Sequence, residues 1–155
     1  MYNFNADEIF EMACQIEKNG YDFYITAAEA VDDESGKILL NELAEMEKQH
    51  QNTFEKLRSN LSSMEKEGTT FDPDNLMYKY CTSMADMHVF NDEKIGDGNL
   101  RSVLNRAIRA EKDTIAFFVG MTYLIPENLG RNQIDNIVKE EISHINILTK
   151  KLKNI

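Results

Sequence analysis

The chain has 155 residues, 42% of them hydrophobic and 28% charged, with only 2 Pro and 7 Gly. That length suits one domain with a sizeable core, and that composition suits a helical protein rather than a disordered or fibrous one. The formal net charge of -10 excludes non-specific binding to nucleic acid and adhesion to anionic membranes, which both need clustered Lys and Arg, and makes cations the natural partners.

The opening stretch MYNFNADEIF has neither the basic region nor the apolar core of a signal peptide, and no apolar run is long enough to span a bilayer, so a cytoplasmic location is expected. A first helix opens at Asn5, whose side chain can cap while Glu8 reaches back, and runs to about Asp32. Along it Ile9, Ala13, Ile16, Gly20, Phe23 and Ala27 recur at alternating spacings of four and three, the seam of a packed helix. The cluster Asp32 to Gly36 breaks it. A second helix is predicted over 35–67, with Leu39, Leu43, Met46, His50, Phe54, Leu57, Leu61 and Met64 inside and Gly68 as its stop. A third spans 99–124, with Leu104, Ala107, Ile108, Ile115 and Phe118 inward, and closes at the turn from Pro126 to Gly130. A fourth covers 130–153.

Between the second and third helices lies a segment over 68–98, with Pro73 and a short amphipathic helix through Leu76, Met77, Tyr80 and Met84. Extended chain covers over ~3 Å per residue, so this connection can cross the whole bundle and let the third helix run parallel to the second. Two antiparallel hairpins joined by one long crossover is the connectivity of a ferritin-like four-helix bundle, here one all-α domain over 1–155.

Two of the three histidines have a Glu three residues before them, as Glu47 with His50 and Glu141 with His144. Residues a heptad away share a helix face, and every candidate carboxylate has apolar neighbours there. Glu17 lies between Phe10 and Tyr24, Glu47 between Leu40 and Phe54, Glu111 between Leu104 and Phe118, and Glu141 between Ile134 and Leu148. All four should point inward, where ionised carboxylates are costly unless paired or bound to metal, and no matching Lys or Arg is supplied. Register agrees: Glu17 lies 16 residues before Asp33 and Glu47 lies 14 after it, and Glu111 and Glu141 repeat both separations about Glu127. The halves therefore read as two copies of one metal-binding hairpin.

Glu and His three apart on a helix can touch one ion. Four carboxylates balance two divalent cations, and the imidazoles favour iron, manganese or cobalt over calcium and magnesium. Two metal ions are expected, iron first and manganese as the alternative, on Glu17, Glu47, His50, Glu111, Glu141 and His144, with Glu140 as a lesser alternative to Glu141.

The pattern resembles the rubrerythrin branch of the ferritin-like superfamily over nearly the whole chain. The resemblance is carried by Glu17 with Gly20, Phe23 and Tyr24, by the run Leu43 to His50, by Ala107 to Glu111 with Phe117 and Phe118, and by Glu140 to His144. It implies that Glu47 and Glu141 bridge the metals, that Glu17 and Glu111 are terminal ligands, that His50 and His144 give one nitrogen each, and that Tyr24 stands behind them. The implied function is an oxidoreductase of oxidative-stress chemistry, reacting with hydrogen peroxide or oxygen, with Gly20 leaving room for a small oxidant beside Glu17. Rubrerythrins also carry a rubredoxin domain with four cysteines. Cys14 and Cys81 cannot build one, so electrons are expected from a separate rubredoxin-like protein. A second glutamate one turn after Glu111 is usual in the family as the carboxylate of peroxidase-type ligand switching, and here that position is Thr114, a departure from the pattern.

Ferritin-like iron oxidation on the way to storage, and a metal-free helical interaction module, are the competing functions, with a homodimer expected as the default assembly. Methionines are expected as core fillers, Cys14 as packing, His88 on the surface, and the run Lys150 to Lys153 as a complement to a helix C-terminal dipole.

Overall fold

The computed structural model describes residues 5–66, 74–86, 95–96 and 98–155, so the expectations for Gly68, Pro73 and His88 lie outside the described residues. Helices α1 (Ala6–Ala30), α2 (Glu34–Ser59), α3 (Ser63–Lys66), α4 (Leu76–Asp86), α5 (Leu100–Leu124) and α6 (Arg131–Lys153) follow in order, with a 3-10 turn at Glu127–Leu129 before α6.

Start signals set most boundaries. The Asn5 side chain accepts from the Asp7 amide at 2.9 Å, Asp33 caps the Gly36 amide, and Asn99 accepts from the Ser102 amide at 3.2 Å. Each satisfies an amide that the first helical turn leaves unpaired. The capping box expected from Glu8 does not describe this end, because the Glu8 carboxylate instead accepts from the Tyr78 hydroxyl at 3.1 Å.

The second helix does not run on to residue 67. It ends at Ser59, and Leu61 folds inward to 7% exposure. The cause is a competing start signal: the Ser62 amide donates to Glu65 at 2.7 Å while the Glu65 amide donates to the Ser62 hydroxyl at 3.3 Å. This reciprocal box starts α3 as a separate helix. Met64, now in α3, consequently stands exposed rather than inside, and Met46 on α2, also expected inside, is exposed as well.

The helix directions follow from end-to-end contacts. Arg58 near the end of α2 pairs in two parallel hydrogen bonds with Asp7 at the start of α1, at 2.8 and 2.9 Å, so these helices are antiparallel. Gly36 at the start of α2 lies against Leu100 at the start of α5, and Leu57 near the end of α2 lies against Gly130 just beyond α5. Thus α2 and α5 are parallel. Lys151 near the end of α6 pairs with Asp33 at the head of α2 at 3.2 Å, which makes α6 antiparallel to both. Gly130 makes the sharp turn into α6 with φ 110, a conformation that favours glycine.

The amphipathic helix expected in the crossover is α4, which lies on α5. The Tyr80 hydroxyl donates to the Ala116 carbonyl at 2.8 Å, and the Tyr80 ring covers Gly120, where a side chain would meet it at 2.5 Å. Leu76, expected on the packed face, is exposed at the helix's first residue. Among the described residues no helix is long and apolar enough to cross a membrane.

Candidate metal centre

All eight heptad neighbours of the four inner carboxylates have 0% exposure: Phe10, Tyr24, Leu40, Phe54, Leu104, Phe118, Ile134 and Leu148. Each carboxylate therefore sits in mid-core between two apolar layers. Glu17 and Tyr24 come from α1, Glu47 and His50 from α2, Glu111 from α5, and Glu141 and His144 from α6, and none of the seven is more than 3% exposed.

The antiparallel hairpins bring these side chains to one level. His50 Nδ1 lies 3.0 Å from Glu141, 3.4 Å from Glu47 and 3.7 Å from Glu17. His144 Nδ1 lies 2.9 Å from Glu141, 3.4 Å from Glu111 and 3.6 Å from Glu47. The two imidazoles stack with centroids 5.6 Å apart. Two overlapping groups result, one of Glu17, Glu47, His50 and Glu141, the other of Glu47, Glu111, Glu141 and His144, with the donor atoms of each within 4.8 Å of one another. Glu47 and Glu141 belong to both.

These atoms approach one another without bonding. Both oxygens of Glu47 and of Glu141, one each of Glu17 and Glu111, and Nδ1 of both histidines are buried with no hydrogen-bond partner. A fold that leaves so many adjacent polar atoms unpaired would be penalised heavily unless they meet a common partner at the points on which they converge. Oxygen and imidazole donors in two four-residue groups suit a divalent transition metal in each, so the residues fit a two-metal site.

Two of these ligands have a further partner from beyond the six. Tyr24 donates to Glu111. His50 Nε2 lies 2.6 Å from Glu140, whose side chain is 61% exposed. Of the two adjacent glutamates, Glu141 is therefore the one inside the cluster, while Glu140 grips the back of the imidazole.

Electrostatics report the crowding. Burial, then the charges of Glu141 and Glu47, drives the Glu17 carboxyl well above the usual range. Burial, then Glu47 and Glu141, does the same to Glu111. Burial and the Glu111 charge raise the Tyr24 hydroxyl. Burial also opposes ionised Glu47, yet His144 and His50 hold its carboxyl below the usual range. Burial disfavours the charged imidazoles, but Glu141, Glu17 and Glu47 outweigh it to raise His50, and Glu111, Glu141 and Glu47 push His144 up to about 12. Protons and divalent cations compete for the same charge-rich cavity.

The six candidate ligands named from sequence are thus together. Sequence reasoning missed Glu140 as the partner of His50. It noted Thr114 only as a departure from a family pattern, whereas Thr114 is 1% exposed, with its hydroxyl unpaired, one turn along the face of Glu111. The i, i+3 spacing carried that signal.

Comparison with known proteins agrees with the fold. A crystal structure from Thermotoga maritima, provisionally described as a ferritin-like diiron-carboxylate protein, is similar with a TM-score of 0.69 at 20% identity, covering 99% of this chain and 97% of that one. Comparison with curated proteins finds no match. The family profile of Rubrerythrin matches residues 8–152. The chain belongs to the rubrerythrin family.

Proposed function

We propose that the chain is a di-iron carboxylate protein that reacts with hydrogen peroxide or oxygen and is re-reduced by a separate, rubredoxin-like electron donor. The observation that carries this reading is the sharing of Glu47 and Glu141 between two donor groups, the arrangement expected when two carboxylates bridge two ions. Glu17 with His50 Nδ1 and Glu111 with His144 Nδ1 would complete the two positions. The similarity to a protein described as diiron-carboxylate makes iron the first choice. When bound, the iron pair supplies the electrons that reduce the oxidant.

The chain's own residues supply position and dryness. Tyr24 holds Glu111 by a hydrogen bond and Glu140 holds the far nitrogen of His50, so both donors are aimed before a metal arrives. Phe10, Phe54 and Phe118 close one end of the cavity, with Phe54 6.5 Å from Phe10 and 5.1 Å from Phe118, and keep bulk water from it.

Loading the purified chain with Fe(II) in the absence of oxygen, desalting and counting retained metal tests the reading. About two ions per chain are expected, in line with two four-residue groups, and Glu47→Ala or Glu141→Ala should lose most of the metal because each takes a ligand from both positions. Retention near zero in the unaltered chain, or unchanged in both variants, overturns the assignment. Peroxide and oxygen consumption by the reduced, loaded protein then identifies the oxidant.

A further inference from the structure

Threonines in the middle of helices usually satisfy their hydroxyl by bonding back to their own helix. Four described threonines here do so: Thr26 to Asp22, Thr53 to Gln49, Thr82 to Tyr78 and Thr122 to Val119, at 2.8, 3.1, 2.8 and 2.7 Å. Thr114 does not. Its hydroxyl is buried and, among the described residues, has no partner on its own helix or elsewhere. An unpaired buried hydroxyl costs free energy, so its orientation calls for a partner that is not a protein atom.

The parallel helices α2 and α5 show where that partner sits. Glu47, His50 and Phe54 on α2 match Glu111, Thr114 and Phe118 on α5 position for position, and the last pair is in ring contact. Thr114 is therefore level with His50. One turn before Glu17 and one turn before Glu141, on the two helices that run the other way, the same layer receives Ala13 and Ile137, both buried. The layer thus has one short side chain, one apolar side chain, one imidazole and one free hydroxyl. The repeat of the two hairpins makes the layer distinctive, because the position in α1 that corresponds to Thr114 is Gly20, which offers no hydroxyl.

Charge points the same way. Two divalent ions would balance the four carboxylates, and Thr114 adds no further charge, so a small anion or neutral oxygen ligand would meet no extra repulsion there.

We propose that the Thr114 hydroxyl donates a hydrogen bond to a small exogenous oxygen ligand, water or peroxide, seated on the His50 side of the metal centre. This rests on the two-metal reading above. Azide, a small anion that accepts hydrogen bonds and gives a charge-transfer band on oxidised iron, is the probe. The iron-loaded, oxidised protein is titrated with azide, and metal is counted in the same samples. Thr114→Val, of the same shape without the hydroxyl, should keep two ions and bind azide about tenfold more weakly, the effect of one lost hydrogen bond. Thr114→Ser should restore the affinity of the unaltered chain. Equal azide affinity in Thr114→Val with both ions present overturns the proposal. So does loss of an ion from that variant, which would assign the hydroxyl to metal retention itself. A wild-type chain that retains no iron overturns the two-metal reading and the proposal with it.

Discussion

At the scale of single residues the centre is asymmetric in its supports. His50 leans on an exposed carboxylate, Glu140, at 2.6 Å, whereas Glu111 leans on a fully buried phenol, Tyr24. An outer carboxylate fixes the tautomer and orientation of a ligating imidazole and raises its basicity, with effects of about 10- to 100-fold on metal affinity. Glu140→Gln should therefore weaken one ion of the pair by that range and leave the other close to its original affinity, which stepwise metal titration will show as a split of one binding transition into two. Equal weakening of both ions, or none, would remove Glu140 from this role. Cys14 is in contrast a structural thiol: burial pushes it up to about 11, so little thiolate forms near neutrality, in keeping with packing rather than redox sensing.

At the scale of elements, the docking of α4 shows how the crossover is anchored. It rests on α5 through a glycine, since Gly120 admits the Tyr80 ring where any side chain would collide at 2.5 Å, and Cys81 is buried beside it. Gly120→Val should destabilise the fold by about 1–3 kcal/mol, as overpacking does. The metal count should stay at its original value, because Gly120 lies well over one turn beyond Thr114 and Glu111. Denaturant unfolding and metal analysis of the same variant separate the two effects, and a loss of metal equal to that of Glu47→Ala would show that α4 docking shapes the centre. The second helix carries a related lesson. Its apolar spacing continues past Ser59 into Leu61 and Met64, but Asn60 and the Ser62 to Glu65 box stop it. Periodicity reports a face, whereas caps report an end, and where they conflicted the local hydrogen bonds prevailed.

At the scale of the whole molecule, the helices of each hairpin pack more closely with each other than with the opposite hairpin. Glu17, Glu47 and His50 belong to one hairpin, and Glu111, Glu141 and His144 to the other. An ion shared between them would tie the halves together and relieve the repulsion among four buried carboxylates. Loading should therefore raise the unfolding free energy, by about 2.7 kcal/mol at a metal concentration 100-fold above the dissociation constant. Chelator should reverse the gain, and Glu47→Ala should abolish it. A melting midpoint indifferent to both metal and chelator would instead fit a metal-free scaffold.

The sequence by itself determined the bundle, the pairing of its hairpins and the six clustered donors. Those features depend on helix periodicity and on registers counted from turns, which are local and additive along the chain. Only the tertiary structure decided that Glu140 grips His50, that α2 breaks at Ser59, and that the Thr114 hydroxyl is left unpaired. Each of these depends on atoms that meet across helices, or on the competition between a cap and a stripe, and neither is written in the spacing of residues along one helix.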